Sequence, residues 1–258
     1  MKKLLSAILI MATFHVSAQT VLLDSYFNNE QKTDASGKTF SWHYKWGETA
    51  LSGFSILGQE FLKNGADTAT LYEAPTAANL KKANIYIIVD ADNAKENPNA
   101  QLIEQKHIDA IYKWVENGGV LVLMGNDSAN AELHQFSKLA QKFGITFTDR
   151  SRNMVKGKDL PTGAVPIPAN HPIFPSIKKA YLKEVSILEV KAPAKASVTK
   201  EGDVIMAVSK VGKGTVFAVG DPWLYNEYVN GDGRITPDYE NPGAVKDLVK
   251  WLAQQSKH

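Results

Sequence analysis

The chain has 258 residues, with 29 Lys and Arg against 27 Asp and Glu, and it contains no Cys. Disulfides, thiol catalysis and a lipid-modified cysteine are therefore excluded. A formal charge of +2 offers no basic face for nucleic acid.

The first residues read as a removable leader. Lys2-Lys3 is a positive start, Leu4 to Phe14 is apolar, and Val16-Ser17-Ala18 is a small-residue cleavage site. The apolar run is too short for a span of ~20 residues. A leader over 1–18 and a single domain over 19–258 are expected, in the periplasm or outside the cell. Removing Lys2 and Lys3 leaves 27 basic against 27 acidic residues, in a chain long enough for one sizeable core. No later apolar stretch is long enough to span a membrane.

Val21–Asp24 reads as a first strand ending in an acid, followed by a polar loop from Ser25 to Phe40. The aromatic segment Trp42-His43-Tyr44-Lys45-Trp46 leads to a helix from about Ser52 to Asn64-Gly65, with Phe54, Leu57 and Phe61 inward. A short strand at Thr68–Leu71 and a short helix from Pro75 to about Lys82 follow. Ile85–Val89 is a continuous β-branched run that suits a strand covered on both faces. The helix expected from about Glu104 to Asn117 places Ile108, Ile111, Tyr112 and Val115 on one stripe, and Gly118-Gly119 stops it. Val120–Met124 is the next buried strand. A helix with Leu133, Phe136, Leu139, Ala140 and Phe143 inward and a strand at Ile145–Thr148 complete this half. Alternating strands and helices with short connections predict a parallel sheet with helices on both faces.

From Asp149 the pattern changes. A long loop is expected from Ser151 to Gly163, with Pro-punctuated pieces to Pro175. Tyr181–Val190, Ala196–Thr199 and Val204–Val211 read as antiparallel strands. Lys210–Gly214 turns into the Val216–Val219 strand, and a last helix runs over about Ala244–Gln254.

In an open parallel sheet, ligands bind beyond the carboxyl ends of the strands. Three buried-strand candidates end in polar clusters: Asp90/Asp92, Asn126/Asp127/Ser128 and Asp221/Trp223. If their strands are parallel, the clusters share one edge. Each Asp taken alone also reads as a helix cap or turn former. Histidine is the residue type suited to proton transfer at neutral pH, which makes His43 a candidate, and Trp42 and Trp46 can stack on a sugar. The same segment also reads as an aromatic plug on the sheet edge. Tyr225 and Asn226 follow Trp223 with the same mixture of flat rings and amides that a sugar site uses. Arg152, beside Asn153, is suited to bidentate pairing with a carboxylate, or is a surface arginine. His171 reads as structural, and His107 and His134 as solvent-facing.

No Gly-rich phosphate loop and no metal-ligating His spacing occurs, so neither a cofactor nor a metal is expected. Asn230–Ile235 reads as a turn, because Tyr228 and Tyr239 occupy the terminal ligand positions of a calcium loop. Gly125-Asn126-Asp127-Ser128 sits where a nucleophile elbow would, without its flanking glycine pattern.

VLVLMGND, NHPIF and VGKGTVFAVGDPW, in this order of elements, resemble the class I glutamine amidotransferase-like fold, including trehalose-utilisation-type proteins. The resemblance covers nearly all of the chain after the leader and implies an α/β, flavodoxin-like three-layer sandwich. That sandwich has a mainly parallel sheet, with an antiparallel extension in the C-terminal half. True amidotransferases carry a Cys at the elbow. Asn126-Asp127 stands there in this chain, so glutaminase chemistry is not expected. HYKWGETALSGFS, MGNDSANAE, SRNMVKG and GDPWLYNEY look like exported Bacteroidetes proteins found with unsaturated rhamnogalacturonyl hydrolases, and like ulvan oligosaccharide dehydratases. This resemblance implies polysaccharide breakdown. The implied reaction removes water from a non-reducing-end uronic acid of an acidic oligosaccharide, leaving the 4,5-unsaturated end that partner unsaturated-uronyl hydrolases use.

Such an elimination needs a base for the C5 proton, an acid for the C4 hydroxyl and a counter-charge for the developing enolate. His43 and Tyr44 can fill base and acid in either order. Arg152, Asn153 and Asn126 can hold the carboxylate, Asp127 and Asp221 can orient the histidine or bind hydroxyls, and Trp46, Trp223 and Tyr225 can shape the slot. Two other readings stay open: a non-catalytic sugar-binding or partner domain, and a glycan hydrolase using Asp127 or Ser128.

Overall fold

Apolar runs of five residues are too short for a core helix but span a buried sheet, and the sheet is assembled around them. The computed structural model describes residues 18–229 and 235–256. The expected leader up to residue 17, the turn at 230–234 and His258 lie outside them. The chain passes through β1 (Gln19–Asp24), β2 (Gln31–Thr33), β3 (Thr39–Ser41), α1 (Ser55–Lys63), β4 (Ala66–Leu71), α2 (Ala77–Leu80), β5 (Ile85–Val89), α3 (Gln105–Glu116), β6 (Val120–Met124), α4 (Leu133–Gln141) and β7 (Ile145–Arg152). It continues through β8 (Ala164–Pro166), β9 (Lys179–Tyr181), β10 (Val185–Val190), β11 (Lys195–Lys200), β12 (Asp203–Val211), β13 (Gly214–Val219), α5 (Asn226–Val229) and α6 (Asn241–Gln255).

The main sheet has the order β4-β1-β5-β6-β13-β12-β10-β7, with β11 added on β12. The five strands from β4 to β13 are parallel. The strands β12, β10, β7 and β11 are joined by antiparallel pairings. Side-chain alternation divides the core into two layers. Val21, Leu23, Ile85, Ile87, Val122 and Phe217 face α1 and α6, through Leu57, Phe61, Val245, Leu248 and Val249. Leu22, Tyr86, Ile88, Leu121, Leu123 and Val216 face α3 and α4, through Ile108, Ile111, Phe136 and Leu139. The result is a flavodoxin-like three-layer sandwich with an antiparallel extension, as the sequence predicts.

Three local expectations are corrected. The polar stretch after β1 is not all loop, because β2 and β3 form a hairpin whose residues 31–40 are all exposed. Tyr181–Val190 is two strands rather than one; the chain breaks before β10 at Glu184, whose φ is 57°. His107 is buried, not solvent-facing: its Nδ1 accepts the Glu104 amide at 3.1 Å, and its ring meets Tyr26 and Phe27 edge-on. His171 is structural as expected. Its Nδ1 accepts the Ile173 and Phe174 amides, and its Nε2 lies 3.1 Å from the Ser197 carbonyl.

Candidate functional site at the carboxyl edge of the sheet

Strand order reverses around β1, because the chain leaves β1 for β4 on one side and returns to β5 on the other. The crevice at such a reversal is where open α/β sheets bind ligands. Val89, Met124 and Val219 are in register across β5, β6 and β13. Asp90, Asn126-Asp127 and Asp221 therefore leave the sheet side by side, with Asp24 at the end of β1. The expected convergence of three strand ends is present, and Asp24 adds a fourth.

Over this edge lies Trp42-His43-Tyr44. His43 and Tyr44 have φ of 66° and 56°, the left-handed region that non-glycine residues seldom occupy. This conformation stacks the three rings. Trp42 and His43 centroids lie 4.7 Å apart, His43 and Tyr44 4.0 Å, with planes within 14° of parallel. Lys32 caps the outer face of Trp42. The Glu30 Oε1 lies 2.8 Å from His43 Nδ1. These two residues sit at the base of the β2–β3 hairpin, closed by the Trp42 amide donating to the Glu30 carbonyl at 3.2 Å. A carboxylate behind Nδ1 selects the tautomer with the proton on Nδ1 and leaves Nε2 as the basic nitrogen. Tyr44 is buried, and burial together with the nearby Asp90 and Asp221 carboxyls holds its hydroxyl well above the ordinary range. It is a proton donor at neutral pH, not a base.

Acids surround this pair, with Asp24, Asp90, Asp92 and Asp221 buried and Glu96 exposed. Asp24 accepts the Phe27 amide at 2.7 Å and the Tyr86 hydroxyl at 2.6 Å, yet burial raises it to about 6. Burial likewise pushes Asp90 and Asp221 well above the carboxylate range and raises Asp92. Glu96 is raised to about 7 by burial and by Glu30 and Asp92. Lys45 donates to the Asn28 carbonyl at 2.6 Å and to its Oδ1 at 2.9 Å. Burial lowers it to about 8, opposed by Asp24, Asp92 and Glu30, so it remains cationic at neutral pH. Among the described residues, no group of three or more His, Asp or Glu side chains is arranged to hold a metal ion.

The structure brings together His43, Tyr44, Asn126, Asp221 and Tyr225 from the expected set. Asn126 Nδ2 lies 3.4 Å from Asp90 Oδ2. Asp221 accepts the Lys183 amide at 2.7 Å. Tyr225 meets Tyr44 edge-on at 5.8 Å.

The other expected members belong to the framework. Trp46 is no sugar wall: its indole donates to the Ala69 carbonyl at 3.0 Å, and its ring packs over Gly58 and against Phe54 and Phe61. Trp223 is fully buried against Phe174. Asn226 donates to the Glu48 and Ala50 carbonyls and accepts the Ile56 amide, stapling the 48–56 segment to α5. Asp127 is not placed for catalysis, since its Oδ1 accepts the Ala129 and Asn130 amides and the Asn130 side chain, which is turn formation. Ser128 lies exposed on that turn. Arg152 pairs with Glu201 and Asp203 at 2.6 and 2.9 Å and with the Lys200 carbonyl, binding the β11–β12 turn. Asn153 joins Leu182 and Lys200. Both line a separate cavity of about 480 Å³ with Thr162 and Lys200, so neither is a carboxylate holder for His43.

Glu30, Lys45, Asp24 and Glu96 were not expected as site residues. Asp24 carried a signal, an acid closing a strand. Glu30 carried none, because it reaches His43 across a hairpin without apolar periodicity.

No protein family's sequence profile matches the chain, and no curated protein matches it. Solved structures do match in fold. The N-terminal domain of mmIFT52 superposes with a TM-score of 0.66 at 16% identity, over 91% of this chain and 97% of that one. A ThuA-like protein from Bacteroides uniformis gives 0.50 at 13% identity, over 94% of each chain. A GMP synthase-type protein from Thermoplasma acidophilum gives 0.50 at 8% identity, over 93% and 96%. The chain thus has the fold of ThuA-like and amidotransferase-type proteins, and identities this low speak of fold alone.

Proposed function

We propose that this edge is an acid–base site that eliminates water from the non-reducing-end uronic acid of polysaccharide-derived oligosaccharides. The observation that carries the reading is the Glu30–His43 dyad stacked on Tyr44 at the strand reversal. Nε2 of His43 takes the C5 proton, and Glu30 stabilises the imidazolium that forms. The Tyr44 hydroxyl protonates the C4 oxygen as its bond to carbon breaks, so water leaves and the 4,5 double bond forms. Lys45 takes over the counter-charge role first expected of Arg152. Burial, by pushing Asp90 and Asp221 toward their protonated forms, lessens the repulsion that an acidic edge would exert on a uronate. An exported protein with this activity would supply unsaturated-uronyl hydrolases.

A non-catalytic binding domain is favoured by one observation, the 3% exposure of Tyr44. The hydrolase reading loses its residues, since Asp127 holds a turn.

Incubation with saturated uronyl oligosaccharides should produce the ultraviolet absorbance of a conjugated double bond and a mass loss of one water. His43→Ala and Tyr44→Phe should each lower the rate by about 100-fold or more. Binding without either product signal would leave the non-catalytic reading in possession.

A further inference from the structure

We infer that one face of the β2–β3 hairpin, carried by Lys32 and Phe40, is a second sugar subsite that holds the anionic group of the residue next to the one at His43. The ligand class, an acidic oligosaccharide, rests on the function proposed above; the surface itself does not.

The hairpin is ordered but covers nothing. All ten residues from 31 to 40 are exposed, and a lone two-stranded hairpin is marginal in water. Its order comes from local polar bonds. At the base, Gln31 Nε2 donates to Asn29 Oδ1 at 2.7 Å and to Ser41 Oγ at 3.0 Å. At the tip, Asp34 Oδ1 accepts the Ser36 and Lys38 amides at 2.9 and 3.0 Å, which forms the turn. Asp34 is the one acid of this segment, and its carboxylate is spent there.

The pairing register decides which side chains share a face. Lys32 stands opposite Phe40 and Thr33 opposite Thr39, so Lys32 and Phe40 lie on one face and the threonine hydroxyls, 3.2 Å apart, on the other. Lys32 rests its ammonium 2.9 Å from the Trp42 ring centroid and, among the described residues, forms no ion pair. The Glu30 carboxylate is taken by His43. Phe40 is 43% exposed. An unpaired cation held beside a free aromatic ring suits an acidic sugar, whose C–H face packs on the ring while its anionic group meets the charge.

The aromatic stack supplies the direction. His43 lies 4.0 Å from Tyr44, Trp42 lies 4.7 Å from His43, and Lys32 stands beyond the indole. Tyr44 is buried, His43 and Trp42 are half-buried, and Lys32 is exposed. An oligosaccharide whose non-reducing end reacts at the inner end sends the rest of its chain outward past this face. Both faces of Trp42 are covered, by His43 and by Lys32. Phe40 is thus the ring left to receive a sugar, and Trp42 holds the ammonium in place.

Calorimetric titration of the full-length Tyr44→Phe protein, which keeps the stack and suppresses turnover, tests binding alone. The probes are digalacturonate, hexagalacturonate and methyl-esterified hexagalacturonate. Hexagalacturonate should bind more tightly than digalacturonate, and adding Lys32→Gln should weaken it by about 3-fold. Phe40→Ala should weaken both hexamers, whereas Lys32→Gln should leave the uncharged ester unaffected. At about 0.5 M salt the effect of Lys32→Gln should fade, because an exposed pair is screened. Both residues are exposed, so neither variant threatens folding. Unchanged hexagalacturonate affinity in Lys32→Gln or in Phe40→Ala overturns the inference, as does failure of all three probes to bind. Binding that depends on both residues, with no conjugated product from the wild type, leaves the subsite standing and the elimination refuted. Product formation whose KM neither substitution changes does the reverse.

Discussion

Asn226 looks, in sequence, like a sugar-binding amide, yet its side chain is spent on the protein itself. It donates to the Glu48 and Ala50 carbonyls at 3.0 and 2.8 Å and to Ser55 Oγ at 2.9 Å, and accepts the Ile56 amide at 3.1 Å. Truncation leaves several of these groups buried and unpaired, each costing about 1–3 kcal/mol. Asn226→Ala should therefore lower the free energy of unfolding by about 3 kcal/mol in urea titrations; a loss under about 0.5 kcal/mol would show that the staple is dispensable. Residue type alone could not separate Asn226 and Trp223 from Tyr225, because one short turn sends some side chains inward and one toward the edge. His43 and Tyr44 were legible because their chemistry is scarce and concentrated. The order of base and acid proposed for them was not, because it rests on Glu30 behind one ring and on burial of the other.

Between β13 and the site lies Gly220, where close approach rather than backbone angle demands glycine. A Cβ there would sit 2.0 Å from the Ser186 carbonyl oxygen and 2.7 Å from a Val185 methyl. This approach lets the Ser186 amide donate to the Gly220 carbonyl at 2.9 Å, and it places the Lys183 amide on Asp221. Gly220→Ala should cost at least about 1–3 kcal/mol by forcing β10 away from β13. It should also release Asp221, a loss readable as faster hydrogen exchange at the Lys183 and Ser186 amides. Unchanged exchange would mean that the contact relaxes at no cost. Strands β5, β6 and β13 were legible because both faces are covered, which makes their sequences continuous apolar runs. The β2–β3 hairpin was not: both of its faces are exposed, so Lys32, Thr33 and Thr39 carry no alternation. The hairpin is also what joins Glu30 to His43, so the element hidden in the sequence concealed half of the dyad.

For the molecule as a whole, burial sets an unusual dependence of stability on pH. Asp24, Asp90, Asp92, Asp221 and Glu96 are all raised, chiefly by burial. Above about pH 4.5 the unfolded chain has lost these protons, while the folded chain gives them up only at higher pH. Their contribution is full below the unfolded values and fades as pH climbs, through about 6 for Asp24 and about 7 for Glu96. His107 and His171 act in the opposite sense. Burial lowers both, so the unfolded chain binds their protons first, and stability is lost as pH falls below about 6.5. Lys45, lowered to about 8, changes the slope only above that value. Five carboxyls against two imidazoles give net proton uptake on folding across this window. The urea midpoint should accordingly be higher at pH 5.5 than at pH 7.5, and Glu96→Gln should flatten the upper part of the rise. A midpoint that instead falls steadily on acidification would mean that the edge acids are ionised in the folded protein. The protonated setting assumed for Tyr44 would then be absent.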